Sequence, residues 1–243
     1  MSSPKLLAVF DFDHTIVDED TFFTVHEALH TGKMTKEQDD GCTRARSYMP
    51  YERAVFRAMH RAGVTREHVR RVVQALPAVP DMEDAVRFLH RAGAELVILS
   101  DSNSVLVDDW LEGAGLRHAF ARVLTNPARY DPDGCLCIED HHRQDSCALS
   151  TTNLCKGLVL DEYVRERAEQ GATFSRIAYV GDGTNDLCPA LRLSPGDLVF
   201  PREGFAFHDL VMKGAGQAIK ASVHPWSSGK HILGVLADYV DSS

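Results

Sequence analysis

One design recurs along this chain and constrains its fold more than anything else: a short apolar run that stops abruptly at a polar residue. Leu6 to Phe10 stops at Asp11, and Ala94 to Leu99 stops at Ser100 and Asp101. Ile177 to Val180 stops at Gly181 and Asp182, and Leu198 to Phe200 stops at Pro201 and Arg202. Apolar runs without alternation suit strands buried on both faces, which occur in parallel sheets covered by helices. The segments between them supply those helices. Glu83 to Ala92 has helical spacing and ends at Gly93, while Val105 to Leu111 and Leu154 to Ala168 follow strands. The expected fold class is α/β, a doubly wound, mostly parallel sheet. Ligands in such sheets collect at the carboxyl ends of the strands, so the four polar endings are expected to converge on one site.

Two stretches break the rhythm. Residues 20–77 offer helices at Glu27 to His30, Glu52 to Arg61 and Arg66 to Leu76 with no strand between them, which reads as an inserted helical cap. The catalytic core is then 1–19 and 78–243, with a smaller insert at about 125–152. In that insert Asp133-Gly134 is a turn signal between Ala128 to Tyr130 and Cys135 to Ile138, as in a small hairpin. Phe22, Phe23, Tyr48, Tyr51 and Phe56 fall in the cap, mostly as cap core.

Asp11-Phe12-Asp13-His14-Thr15 follows the first strand directly and sets two carboxylates at one strand tip. Like charges so placed need a divalent cation, or one of the pair must keep a proton. Gly181-Asp182-Gly183-Thr184-Asn185-Asp186 follows another strand, and its glycines allow a sharp turn that carries Asp182 and Asp186 to the sheet edge. Carboxylate oxygens of this kind suit Mg²⁺. With 26 basic against 35 acidic residues the chain carries a net charge of −9, which disfavours nucleic acid and anionic lipid as partners. An anionic substrate would therefore need local positive charge. No apolar stretch approaches the length of a membrane span, and Met1 to Lys5 show no signal-peptide pattern, so a cytoplasmic address is expected. The six scattered cysteines read as reduced thiols.

Taken in order, D-x-D-x-T after the first strand, Ser100 after a later one, the lone Lys156 and G-D-G-x-N-D resemble the haloacid dehalogenase superfamily. The resemblance implies a Rossmann-like core, Asp11 as nucleophile towards phosphorus, and Asp13 as acid and then base. It implies Mg²⁺ held by the Asp11 carboxylate, the Asp13 carbonyl and Asp182, with Asp186 in support. Lys156, expected in the first turn of a helix capped by Thr152 or Asn153, and Mg²⁺ would neutralise the phosphoryl oxygens. Ser100 would donate to one of them, as would the amides of Asp101 and Ser102 where the chain turns into a helix.

A closer resemblance spans Leu7 to about Gly229. Asp11 to Asp18, Ser100 to Ser104, Thr125 to Pro127, Asn153 to Lys156 and Gly181 to Pro189 are similar to the phosphoethanolamine/phosphocholine phosphatases and their pyridoxal phosphate phosphatase relatives. It implies a Mg²⁺-dependent phosphatase acting on a small phosphomonoester through an aspartyl-phosphate. Phosphoethanolamine or phosphocholine comes first, pyridoxal 5′-phosphate second, and a phosphotransferase on the same fold is the rival. The family's usual acid eleven residues beyond the nucleophile is Phe22 here, which offers a cation–π face, a stacking surface or simple packing. Asp101 matches the family's other acidic specificity position. The insert reads His141-His142 and a single Cys147 where the family has a fuller His and Cys set, so ordinary loop residues are preferred there to a zinc site from His141, His142, Cys147 and Cys155. Oligomeric state is not legible.

Overall fold

The computed structural model describes residues 6–29 and 32–240, so the His30 end of the first expected cap helix and Met1 to Lys5 lie outside it. The chain opens with β1 (Leu6–Phe10), then four helices: α1 (Thr21–Leu29), α2 (Lys36–Ala45), α3 (Met49–Arg61) and α4 (Arg66–Gln74). Next come α5 (Met82–Arg91), β2 (Glu95–Asn103), α6 (Ser104–Gly113) and β3 (Phe120–Asn126), and a hairpin of β4 (Ala128–Tyr130) and β5 (Leu136–Ile138). The rest alternates as α7 (Lys156–Glu169), β6 (Arg176–Gly181), α8 (Leu187–Ala190), β7 (Leu198–Pro201), α9 (Ala206–Met212), β8 (Ser222–Val223) and α10 (Gly229–Val240).

Six strands form one parallel sheet in the order β3-β2-β1-β6-β7-β8. The chain builds outward from β1 through β2 to β3, then returns to the far side of β1 with β6. That reversal opens a crevice beyond the carboxyl ends of β1 and β6, where an α/β sheet receives its ligand. Asp11 leaves β1 there and Asp182 leaves β6.

Side chains alternate across the sheet with the period of two that strands impose. Ala8, Phe10, Leu96, Ile98, Val180 and Phe200 face the layer of α5, α6 and α10. Leu7, Val9, Val97, Leu99, Tyr179 and Val199 face α7, α8 and α9. Helices on both faces thus make every position of the central strands apolar, as the uninterrupted runs require.

Two strands were not legible as apolar runs. β3 is an edge strand with exposed Ala121 and Arg122, and β8 has only two residues. α2 also escapes notice because Cys42 is its one buried residue. At α7 the expected cap is corrected: Cys155 is the N-cap, without a side-chain capping bond. The Asn153 amide donates instead to Asp101 Oδ1 (2.5 Å) and Asn126 Oδ1 (3.1 Å), because those buried acceptors outcompete a cap that solvent could replace.

Phe10 is fully buried and meets Phe120 edge-to-face at 6.4 Å. Phe10→Ala should cost about 3–5 kcal/mol in urea unfolding, since the sheet cannot collapse around the void. A loss under about 1 kcal/mol would show that this face of the sheet is not close-packed.

Candidate active site

Lys156 is the centre of the site and is fully buried, with 0% of its side chain exposed. Its ammonium lies 2.6 Å from Asp11 Oδ2 and 2.6 Å from Asp186 Oδ1. A buried ammonium is tolerated only when paired and hydrogen-bonded, and its partners come from far away in sequence, Asp11 just after β1 and Asp186 in the turn beyond β6. Burial by itself would lower the Lys156 pKa, but the Asp11 and Asp186 charges outweigh it and hold the amine protonated.

Asp186 is fully engaged. Its Oδ1 also accepts from Tyr179 Oη (2.6 Å), and its Oδ2 accepts from the amides of Asp182 (2.9 Å) and Gly183 (2.8 Å). The carboxylate therefore closes the G-D-G-x-N-D turn on itself. Gly181 is needed because a Cβ there would run into the Asp186 carboxylate.

Asp11 Oδ1 accepts from the Phe12 amide at 2.7 Å, and Asp13 Oδ1 accepts from the Thr21 amide at 2.9 Å. The intervening turn bends through His14, whose φ of 53° is left-handed. Arg202 secures that turn, donating to the His14 carbonyl (2.6 Å) and pairing with Asp18 (2.5 Å). The His14 ring packs 5.4 Å from Phe205, and its buried Nδ1 has no hydrogen-bond partner.

These groups line a cavity of about 300 Å³. Asp11, Asp13, Asp182, Ser100, Asp101 and Phe22 all contribute to its wall, whereas Lys156 and Asp186 lie beneath it. Ser100 is not a helix cap. β2 continues to Asn103, whose Oδ1 caps α6 by accepting from the Leu106 amide (3.2 Å), so Asp101 and Ser102 belong to the strand rather than to a turn into the helix. Ser100 Oγ accepts from the Ser102 amide at 3.2 Å. Phe22 is buried within Phe23, His26, Tyr51 and Phe56, so its packing role is present alongside its place in the wall.

The family model described as Putative Phosphatase matches residues 6–240. The chain belongs to that family. It is a phosphatase of the haloacid dehalogenase superfamily. A human (Homo sapiens) phosphoethanolamine/phosphocholine phosphatase is 37% identical, covering 95% of this chain and 87% of that protein. A bovine (Bos taurus) pyridoxal phosphate phosphatase is 34% identical, over 96% and 97% respectively. Among solved structures, a phosphoserine phosphatase captured as a phospho-aspartyl intermediate analogue matches with a TM-score of 0.59 at 16% identity. That match covers 96% of this chain and 99% of the other, and it speaks to the fold.

Two acidic residues of this phosphatase's cavity have no role in the sequence reading. Asp20 and Glu52 both face it, and Glu52 Oε2 is buried without a hydrogen-bond partner. Glu52 had been legible only as the first residue of a helix, and no spacing rule marks an acid on a helix as wall rather than solvated face. Burial, then the charges of Asp101, Asp20 and Asp13, pushes its carboxyl well above the usual range. Burial and Asp20 raise Asp13 likewise. Asp11 stands at about 6, raised by burial against the opposing pull of Lys156. Asp182 is pushed up to about 8 by burial and by the Asp11 and Asp186 charges.

The sign of the pH dependence follows. Asp11 and Asp182 bind protons more tightly folded than unfolded, so their contribution to stability is present below the unfolded value of 3.8 and is lost as pH rises through about 6 and about 8. In EDTA the urea midpoint should fall between about pH 6 and about pH 8. A midpoint that rises over that interval would contradict the crowding of these carboxylates.

Proposed function

We propose that this phosphatase hydrolyses a small phosphomonoester bearing a cationic group, phosphoethanolamine or phosphocholine, with Asp11 as nucleophile. The carrying observation is the charge of the cavity wall. Asp11, Asp13, Asp20, Glu52, Asp101 and Asp182 all face it, and no lysine or arginine is among the described residues that do. Burial and mutual repulsion keep protons on several of these carboxyls, and a cation that displaces those protons is favoured over an anion, so the phosphate end needs a metal and the alcohol end suits an ammonium. The human relative's name describes that same chemistry. Pyridoxal 5′-phosphate, the bovine relative's substrate by its name, is the second candidate, with Phe22 and Phe23 as a surface for its ring.

Oxygens of Asp11, Asp182 and Asp186 lie within 4.8 Å of one another, and the burial and mutual repulsion that raise Asp182 are what a divalent cation would offset. Because Asp186 is consumed by four hydrogen bonds, Asp11 and Asp182 are the carboxylates of this group left for Mg²⁺, and the family resemblance would add the Asp13 carbonyl. When bound, the ion would supply the positive charge that the wall lacks.

The protein's own groups do the remainder. Lys156 and the Phe12 amide hold the Asp11 carboxylate from beneath, one to each oxygen, which orients it for attack on phosphorus. Asp13, with its raised pKa, retains the proton that the leaving alcohol oxygen needs. It then takes one from the water that hydrolyses the aspartyl-phosphate. Ser100 donates its hydroxyl to a phosphoryl oxygen. We assign residues 20–77 as a cap that excludes water over the site, with 1–19 and 78–243 as the catalytic core. No helix among the described residues is long and apolar enough to cross a membrane, and the free thiols suit a reducing, cytoplasmic address.

Phosphate release from phosphoethanolamine, phosphocholine, pyridoxal phosphate and phosphoserine, with Mg²⁺ and then EDTA, tests the reading. Asp11→Asn should abolish Mg²⁺-dependent release while leaving the unfolding midpoint measurable. Retained turnover would overturn the nucleophile, and phosphate passed to an acceptor rather than water would make the protein a transferase.

Glu52→Gln tests the alcohol end. The KM for phosphoethanolamine should rise about 10-fold or more, the equivalent of one charged hydrogen bond, while that for p-nitrophenyl phosphate stays put. Equal changes in both would show that Glu52 supports the wall without reading the substrate.

A further inference from the structure

Away from the cavity, three thiols meet, Cys147 and Cys155 from one loop and Cys188 from a separate segment. Cys147 Sγ lies 3.5 Å from Cys188 Sγ, and Cys155 Sγ lies 3.7 Å from Cys188 Sγ. Ser150 Oγ completes the group, 3.6 Å from Cys147 Sγ and 3.5 Å from Cys155 Sγ. Cys155, Cys188 and Ser150 are buried and Cys147 is half-buried. The separations are far beyond the roughly 2.05 Å of a disulfide, and all six cysteines are free.

The distances match another arrangement. For tetrahedral zinc with Zn–S bonds of about 2.3 Å and a Zn–O bond of about 2.0 Å, neighbouring sulfurs stand about 3.8 Å apart and sulfur and oxygen about 3.5 Å apart. We propose that Cys147, Cys155 and Cys188, with the Ser150 hydroxyl at the fourth vertex, form a structural zinc site in this phosphatase.

The surroundings are built for it. Cys155 is the N-cap of α7, where the helix end favours a thiolate, and Arg192 interacts with Cys188 to offset the charge of three sulfurs on a divalent ion. At Gly157 an added Cβ would meet Cys188 Sγ at 2.7 Å, so the glycine is what lets α7 approach the cluster. The loop is set in place before any ion arrives. Arg46 donates to the Cys147 carbonyl (2.8 Å), the Gln144 side chain accepts from the Cys147 amide (2.8 Å), and the Gln144 amide donates to the Thr152 carbonyl (2.9 Å).

The histidines take no part. His141 Nδ1 lies against the Thr125 carbonyl at 3.0 Å, and His142 Nε2 accepts from the Cys155 amide at 2.9 Å. The sequence favours ordinary loop residues over a zinc site from His141, His142, Cys147 and Cys155; the cluster proposed here differs from that set because Cys188, after the G-D-G-x-N-D turn, and Ser150 stand where the two histidines would. The position of Cys188 gives the ion a purpose. Cys155 adjoins Lys156 and Cys188 lies two residues beyond Asp186, so one ion would clamp the loop to both segments that carry the buried ion pair.

The full-length protein, purified with thiols reduced and ZnCl₂ present and then desalted, should retain about one zinc per chain by elemental analysis. Asp182→Asn should retain it too, which separates this site from the carboxylates. Cys155→Ser and Cys188→Ser should lose it, and Ser150→Cys should hold zinc against a chelator concentration that strips the wild type. Should the serine variants fail to fold, Co²⁺ titration of the wild type decides, with a thiolate-to-cobalt charge-transfer band expected. No retained zinc and no such band, or zinc content unchanged in Cys188→Ser, would overturn the site. So would metal-free protein purified with a disulfide among these cysteines.

Discussion

The pairing of Lys156 with Asp11 and Asp186 is the constraint on which the rest depends. An ammonium with no access to water is costly unless each of its protons has an acceptor. One acceptor follows β1 directly and the other sits in the turn beyond β6, so those strands must lie side by side and stop at the same level. The lysine comes from the start of α7, which must then pack against that edge. Strand order, helix placement and turn geometry all answer to one buried charge. Tyr179 and the amides of Asp182 and Gly183 saturate Asp186, leaving it no freedom to release the lysine.

Above that buried pair the charge balance inverts. The described lining of the cavity carries carboxylates and no lysine or arginine, and the ammonium of Lys156 lies underneath it. The distant end of the cavity is tied to the same framework by amides. Asn153 bridges Asp101 and Asn126 and accepts from Ser47 (2.9 Å), while Asn126 donates to the Asp101 carbonyl (2.7 Å). Thr21 meets Ser102 at 3.0 Å, joining α1 to the end of β2. The helical layer is thus fastened at the site itself rather than only along its apolar flank.

The core strands and both acidic turns were legible because burial on two faces leaves an unmistakable run of apolar residues, and because carboxylates at strand ends have few other uses. β3 and α2 were not, since an edge strand and a largely exposed helix carry little apolar pattern. The expected cap at Thr152 or Asn153 failed for a related reason. Local propensity describes what a side chain does with its own backbone, and Asn153 was recruited by acceptors 52 and 27 residues away. Phe22 illustrates both outcomes, packing in the aromatic cluster while still reaching the wall.

By itself the sequence determined the class of sheet, the strand ends that carry Asp11, Ser100 and Asp182, and the phosphatase family, because all of these rest on local pattern and ordered motifs. Tertiary structure alone decided which of many ordinary residues became wall or ligand. Glu52 on a helix, Asp20 just before α1 and Cys188 beyond an acidic motif have no local mark of their place in the wall or cluster. Their proximity to Asp101, Asp13 and Cys147 depends on how distant segments cross, and side-chain chemistry read along one dimension does not contain that distance.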